Sequence, residues 1–329
     1  MLSDTPQLPD IRALQMRLQE WLLYTPVTRC KALENHLAER TEIYAKLEFL
    51  QRTGTFKARG ALTALLALTP EQKARGVTAV SAGNHAIATA FAARALETTA
   101  KVVMLRTANR VRVERCREFG AEVVLADDVH VAFEMVEQIR LEEGRFFVHP
   151  FESRDIALGT ATVGLEICEQ VSEIDAVIVP IGGGGLCAGI SSAVKQLRPD
   201  CQVFGVEPSG ADSMHRSFAS GQAEALERVT TIADSLGAPF ALPYSFGLCR
   251  DNVDELVLVS DDELRNAMGL LFHEMRIAVE PACAATTAAL WGPLRERLAG
   301  KKVVLVMCGS NIDWQTWESH GSLGVYAAD

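Results

Sequence analysis

Short apolar runs alternate with amphipathic stretches over most of the 329 residues. The runs are rich in Val, Ile and Leu, which is typical of strands buried on both faces of a sheet. Seven strands are predicted, at 77–81, 101–105, 122–125, 145–149, 176–181, 202–206 and 302–307. Helices are predicted between them, at 111–119, 129–143, 156–171 and 186–197. This alternation predicts an α/β protein of two domains, each with a mainly parallel sheet flanked by helices.

Composition excludes several classes of function. The chain is 48% hydrophobic and 22% charged, and its net charge of −10 argues against binding to nucleic acid or an anionic membrane. The eight cysteines include no C-x-x-C pair, which argues against a zinc site or a disulfide framework. The uncharged stretch 176–194 contains Pro180 and four consecutive glycines, which would interrupt a membrane-spanning helix. With no signal-peptide pattern at the N-terminus, we expect a cytoplasmic protein.

The four glycines follow a predicted buried strand and precede a predicted helix. Consecutive backbone N–H groups without Cβ atoms can converge on an anion, and the helix N-terminus adds a favourable dipole. A phosphate site at Gly182, Gly183, Gly184 and Gly185 is therefore expected. Gly183, Gly185 and Ala188 also fit the dinucleotide pattern G-x-G-x-x-A, with Glu207 as the ribose-binding acid of an NAD oxidoreductase. The loop by itself leaves both possibilities open.

Seven motifs distinguish between these possibilities. They occur in the order TGTFKARGA, SAGNHA, GGGGL, FGVEP, TIAD, EPACAA and MCGSN. On these motifs, and over about 24–313, the sequence resembles the serine/threonine dehydratase family of fold-type II pyridoxal-phosphate enzymes, whose fold is that of the tryptophan synthase β subunit. The resemblance implies a large cofactor-binding domain, 1–52 with 150–329. It also implies a small domain, 53–149, that carries the loop for the substrate carboxylate.

The resemblance also assigns cofactor residues. Lys57 is implied to form the Schiff base with the cofactor and then to act as the base at Cα, a role that needs an amine. Phe56 is implied to pack on the cofactor ring, Asn84 to bind its hydroxyl, and Cys308 to face its nitrogen. Leu186 completes the phosphate loop. A neutral thiol at the nitrogen suits elimination better than transamination.

The substrate carboxylate is expected on a loop at a helix start, formed by Ser81, Ala82, Gly83, Asn84 and His85. Ser81 and Asn84 could also cap that helix. Ala82 stands where racemases of the family carry a serine, and a methyl group cannot transfer a proton.

A cation site of part of the family is matched only in part. Glu207 and Ala211 correspond to two of its ligands, but Ser213 stands at the usually acidic third position. We therefore expect no tightly bound divalent metal. Glu280 and Asn311 are implied to line the region of the cofactor ring.

The predicted activity is that of an ammonia-lyase (dehydratase) that eliminates the β-hydroxyl of threonine, serine or a related 3-hydroxy amino acid. Segment 235–249, SLGAPFALPYSFGLC, departs from the threonine deaminase pattern. A bulkier or more polar substrate is the alternative, such as hydroxyaspartate, phenylserine or one of hydroxyectoine degradation. A racemase, an NAD oxidoreductase and a non-catalytic sensor are weaker alternatives. Family members are often homodimers, which is the expectation here.

Overall fold

The structure is a computed structural model and describes residues 4–37, 40–81 and 83–321. Its strands form two separate sheets. The strands are β1 (Val27–Arg29), β2 (Glu42–Leu47), β3 (Val77–Val80), β4 (Ala100–Leu105), β5 (Glu122–Ala126), β6 (Phe146–Phe147), β7 (Ala176–Pro180), β8 (Gln202–Pro208), β9 (Glu255–Val259) and β10 (Lys302–Met307).

Helices occupy most of the chain between the strands. They are α1 (Leu8–Leu18), α2 (Lys31–Glu34), α3 (Lys57–Leu66), α4 (Pro70–Arg75), α5 (Asn84–Ala95), α6 (Arg110–Glu118), α7 (Val129–Glu143), α8 (Arg154–Gln170), α9 (Gly185–Leu197), α10 (Ser213–Ser220), α11 (Pro243–Asn252), α12 (Asp261–Met275), α13 (Pro281–Trp291) and α14 (Trp314–Gly321). Single 3₁₀ turns lie at Glu48–Leu50 and Asp234–Leu236.

The larger sheet has the strand order β1-β2-β10-β7-β8-β9. Its strands are parallel except for the antiparallel pair β1 and β2. The central strands β7 and β10 are apolar and almost fully buried, and α9 and α13 pack on the sheet. This core also contains most of the eight cysteines, all of which are buried free thiols.

The smaller sheet has the order β5-β4-β3-β6 and is parallel throughout. Helices α5 and α7 pack on it, and α3 packs on α5. The fold class is the predicted one. The boundaries proposed for the two domains, 1–52 with 150–329 and 53–149, stay a prediction.

The functional motifs follow the carboxyl ends of three parallel strands. Ser81 follows β3, the glycine loop follows β7, and Cys308 follows β10. Ligands of parallel α/β sheets bind beyond these strand ends. Backbone contacts connect the start of α3 to the end of β10. Thr55 forms an isolated β-bridge with Gly309, and the Phe56 N–H donates to the Cys308 carbonyl at 3.1 Å.

The uncharged stretch 176–194 folds as β7, the glycine loop and most of α9, as predicted. Within the described ranges, none of the helices combines the length and apolarity needed to cross a membrane.

Candidate active site

The glycine loop between β7 and α9 is shaped for close approach of a ligand. Gly184 has a φ of +92°, a conformation that favours glycine. A Cβ atom on Gly183 would lie 2.2 Å from a ring carbon of Phe151, so no side chain fits there. The backbone of the loop therefore carries no side chains that would keep a ligand away from its N–H groups.

This loop also presents unused hydrogen-bond donors. In the part of the chain that the structure describes, the backbone N–H groups of Gly183, Gly184, Gly185 and Leu186 have no protein acceptor. They surround the N-terminus of α9, where the helix dipole favours an anion. The loop thus fits the phosphate group of pyridoxal phosphate.

A small cavity adjoins the loop, and we call it the inner cavity. Every residue that the sequence predicted for cofactor binding lines it: Phe56, Lys57, Asn84, Gly182, Gly183, Gly184, Gly185, Leu186 and Cys308. Four segments distant in sequence are therefore brought to one cavity. Phe151, Ser235, Leu236 and Glu280 also line it.

The amine of Lys57 points into the inner cavity from the first residue of α3. Its Nζ donates to the Pro150 carbonyl at 2.6 Å and lies 5.2 Å from the centre of the Phe56 ring. Burial lowers the pKa of Lys57 to about 8. A neutral amine, which bonding to an aldehyde requires, is therefore accessible near neutral pH.

Asn84 is the first residue of α5 and does not cap it, so that alternative is wrong. Its Oδ1 accepts from Asn311 Nδ2 at 2.7 Å. Its Nδ2 donates to Glu280 Oε1 at 2.7 Å and to Ser235 Oγ at 3.2 Å. A hydrogen bond from Asn84 Nδ2 to a hydroxyl group of the cofactor would replace the longer of these two bonds, the one to Ser235 Oγ. Burial raises the pKa of Glu280 to about 7.

Cys308 also lines the inner cavity and is buried. Its neighbour Cys283 and its burial hold the pKa of the Cys308 thiol well above its usual value. The thiol is therefore neutral, as expected for a group that leaves a pyridine nitrogen unprotonated.

The predicted carboxylate loop lies beside Lys57 in a second, larger cavity, the outer cavity, which Ser81, Gly83, Asn84 and His85 line. Ala82, predicted with them, lies outside the described residues. Ser81 Oγ accepts from the Gly83 N–H at 3.1 Å. Among the described residues, the N–H groups of Asn84 and His85 find no acceptor, so the start of α5 can receive a carboxylate.

Much of the lining of the outer cavity is apolar, and we call these apolar side chains the apolar wall. Phe151 and Phe240 approach with ring centroids 6.1 Å apart, an arrangement that suits contact with a further ring. The other apolar side chains there are Val80, Val103, Leu105, Ala132, Phe133, Pro150, Ala238 and Pro239. Residues 237–240 belong to the segment whose sequence departs from the threonine deaminase pattern.

Arg112, on α6, also lines the outer cavity, but its charge is compensated. Its guanidinium hydrogen-bonds Asp234, lies 3.5 Å from Glu280 Oε2, and donates through Nε to the Asn311 carbonyl at 2.8 Å. Sequence reasoning missed Arg112 and His149, because nothing in their local sequence marks them as facing a cavity. Phe240 was not singled out as a residue, but it lies in segment 235–249, whose unusual sequence pointed to the substrate.

Glu207 and Ala211 line neither cavity. The Glu207 carboxylate accepts the N–H groups of Met214 at 2.9 Å and His215 at 2.7 Å, at the start of α10. It is buried, as a ribose ligand would not be. Asp212 is bound to Arg216. Among the described residues, no group of three or more His, Cys, Asp or Glu side chains is arranged to hold a metal ion.

Comparison with known proteins defines the class. The model of the family "Pyridoxal-phosphate dependent enzyme" matches residues 18–309. The chain belongs to this family of pyridoxal-phosphate-dependent enzymes.

Among individual relatives, phenylserine dehydratase of Ralstonia pickettii is 55% identical over 98% of this chain and 99% of its own length. L-threo-3-hydroxyaspartate ammonia-lyase of Saccharomyces cerevisiae is 35% identical, and the match covers 95% of each chain. The structure of maize serine racemase superposes with a TM-score of 0.90 at 33% identity, over 96% of this chain and 97% of that one.

These findings confirm the predicted family, fold type and cofactor. They also confirm the enzyme class, a carbon–nitrogen lyase of the dehydratase type. The dinucleotide-binding oxidoreductase, kept open for the glycine loop, is wrong, since the family is pyridoxal-phosphate dependent.

Proposed function

We propose that this enzyme dehydrates an aromatic 3-hydroxy amino acid of the phenylserine type and releases the 2-oxo acid and ammonia. The apolar wall of the outer cavity, built around Phe151 and Phe240 and reached from Lys57, carries this proposal. The similarity to phenylserine dehydratase supports it independently.

A phenyl group gains more from this wall than the methyl group of threonine does. Burying a Phe-sized side chain contributes about 1.5–3 kcal/mol, against about 0.8 kcal/mol for one methyl group. The difference corresponds to a preference of about tenfold in kcat/KM for the aromatic substrate.

An acidic substrate such as hydroxyaspartate fits less well. Arg112 is the cation near the apolar wall, and it is already bound to Asp234 and Glu280. A second substrate carboxylate would face these two carboxylates without a free counter-charge, which costs binding energy. The charge arrangement therefore favours an uncharged β-substituent.

The cofactor-binding roles follow from the inner cavity. In this proposal the N–H groups of the glycine loop hold the phosphate, Phe56 packs on the ring, and Cys308 faces the ring nitrogen. Glu280 and Asn311 hold the Asn84 amide beside the ring. When bound, pyridoxal phosphate supplies an electron sink for negative charge at the substrate Cα.

The chain's own groups then handle substrate and protons. The start of α5, at Asn84 and His85, binds the substrate carboxylate and so fixes the orientation of Cα. The Lys57 amine takes the Cα proton, because its lowered pKa keeps a useful fraction in the neutral, basic form. The β-hydroxyl leaves, and the apolar wall keeps the side chain out of water.

The test is kcat/KM for phenylserine, threonine, serine and hydroxyaspartate, measured as 2-oxo acid release. We expect phenylserine to exceed threonine by about tenfold. Phe240→Ala should remove most of that preference while changing threonine turnover by less than about threefold. Phe272→Ala, on α12 and outside both cavities, is the matched control. Equal or better turnover of threonine by the wild type would contradict the proposal.

We also propose a cytoplasmic homodimer, as the family resemblance implies. Size-exclusion chromatography with light scattering should give twice the mass of the chain. A monomer at micromolar concentration would contradict this part.

A further inference from the structure

His149 has a fixed orientation at the edge of the outer cavity. Its Nδ1 accepts two backbone N–H groups, from Phe151 at 3.3 Å and Glu152 at 2.9 Å. Its ring makes edge contacts with Phe147 and Phe151, with centroids 5.7 and 4.7 Å apart. Backbone and aromatic contacts together leave the imidazole little freedom to turn.

These contacts determine which nitrogen carries the proton. A ring nitrogen that faces two N–H donors must present its lone pair, so the proton of the neutral imidazole is on Nε2. Burial, and then the charge of Lys57, lower the pKa of His149 to about 4. The ring therefore remains neutral throughout the usual assay range.

The Nε2–H donor has no acceptor among the described residues, and the ring lines the outer cavity. Lys57 is close, because its Nζ donates to the carbonyl of Pro150, the next residue after His149. A proton acceptor and a neutral hydrogen-bond donor thus line the same cavity, in which the substrate is proposed to bind.

We propose that His149 Nε2–H donates a hydrogen bond to the β-hydroxyl oxygen of the substrate and holds the leaving group in position. This inference rests on the proposed function. As the Cβ–O bond breaks, its electron pair goes to oxygen, and the Cα–H electron pair forms the carbon–carbon double bond. The donor stabilises the charge that builds up on oxygen.

The proton balance needs no additional reactant. The Lys57 amine takes one proton from Cα, and the ammonium group so formed gives one proton to the departing oxygen, which leaves as water. His149 keeps its own proton, because a neutral imidazole is far too weak an acid to release it at Nε2. Its role is to bind and orient the leaving oxygen.

Two near-isosteric variants separate this role from support of the loop. His149→Asn keeps an acceptor where Nδ1 lies and loses the distal donor. His149→Gln places an amide N–H near the Nε2 position and loses the acceptor for Phe151 and Glu152. If His149 only supports the loop, the activity should fall in His149→Gln. If it binds the leaving group, the activity should fall in His149→Asn.

The assay compares a 3-hydroxy amino acid with its 3-chloro analogue of the same carbon skeleton. Chloride leaves readily without a hydrogen bond. We expect His149→Asn to lower kcat/KM for the hydroxy substrate by about 10- to 100-fold, and for the chloro analogue by less than about threefold. His149→Gln should keep the wild-type ratio of the two. Equal losses on both substrates, no loss on either, or loss of bound cofactor in the Asn variant would overturn the inference.

The same assays distinguish a wrong substrate proposal from a wrong role for His149. A wild-type enzyme that dehydrates serine or threonine but not phenylserine contradicts the aromatic substrate, and the leaving-group comparison then uses serine and 3-chloroalanine. A wild-type enzyme that eliminates from none of these compounds would overturn both proposals.

Discussion

A buried cluster of four charges is built around Arg59, which lies two residues after Lys57 on α3. Lys46, Glu48, Arg59 and Glu166 have side chains that are at most 3% exposed. Glu166 accepts from Lys46 at 2.5 Å and from two nitrogens of Arg59 at 2.7 and 2.8 Å. Arg59 also pairs with Glu48 at 2.8 and 2.9 Å. Two positive and two negative charges therefore compensate each other without water.

The substitution Glu166→Gln leaves two buried cations facing one anion. Breaking a buried pair by removing one partner costs about 3–5 kcal/mol. For a chain of this length, that lowers the melting temperature by about 4–7 °C. Because Arg59 is two residues from Lys57 on α3, the position of the amine and the affinity for the cofactor should suffer as well.

Thermal unfolding of the holoenzyme at fixed cofactor concentration measures the effect. Glu169→Gln is the matched control, since Glu169 lies on the same helix but binds Arg12 at a 33% exposed position. It should cost only about 0–1 kcal/mol. The double variant Lys46→Met with Glu166→Gln should recover much of the loss, because Arg59 and Glu48 then remain as a balanced pair. The reasoning is refuted if Glu166→Gln shifts the melting temperature no more than Glu169→Gln does.

Two further predictions concern the cofactor. Gly184→Ala and Gly120→Ala share the strain of a positive φ, but only the first places a Cβ against neighbours, 2.6 Å from Met214 Cε. Equilibrium titration should show weaker pyridoxal phosphate binding for Gly184→Ala alone; similar affinities would contradict the phosphate role of the loop. In stopped-flow reloading of the apoenzyme, the rate should rise about tenfold per pH unit up to about pH 8 and then level off, because the pKa of Lys57 is lowered to about 8 and only the neutral amine reacts. A rate that continues to climb to pH 10 would indicate an ordinary lysine.

Motifs placed directly after parallel strands were predictable from the sequence. Ser81, the glycine loop and Cys308 follow β3, β7 and β10, and the carboxyl ends of such strands meet at a ligand site. The four helices predicted from the sequence, at 111–119, 129–143, 156–171 and 186–197, begin and end within about two residues of α6, α7, α8 and α9, because the period of their apolar positions is a local signal.

Features that depend on tertiary contacts were not predictable. The strands β1, β2 and β9 were missed. In β2 the charged residue Lys46 argues against a buried strand, and its burial is possible because Glu166, distant in sequence, compensates its charge. The strand predicted at 145–149 is only Phe146–Phe147, because the chain turns where His149 accepts backbone N–H groups. Asn84 was a plausible helix cap by type, but Glu280 and Asn311 hold its side chain instead.

The most direct test of the account is to locate the covalently bound cofactor. Borohydride reduction of the holoenzyme, followed by peptide mass spectrometry, should place the pyridoxyl group on Lys57. Lys57→Ala should lose both the label and 2-oxo acid release from phenylserine. A pyridoxyl group on any other lysine, or an active Lys57→Ala enzyme, would contradict the account.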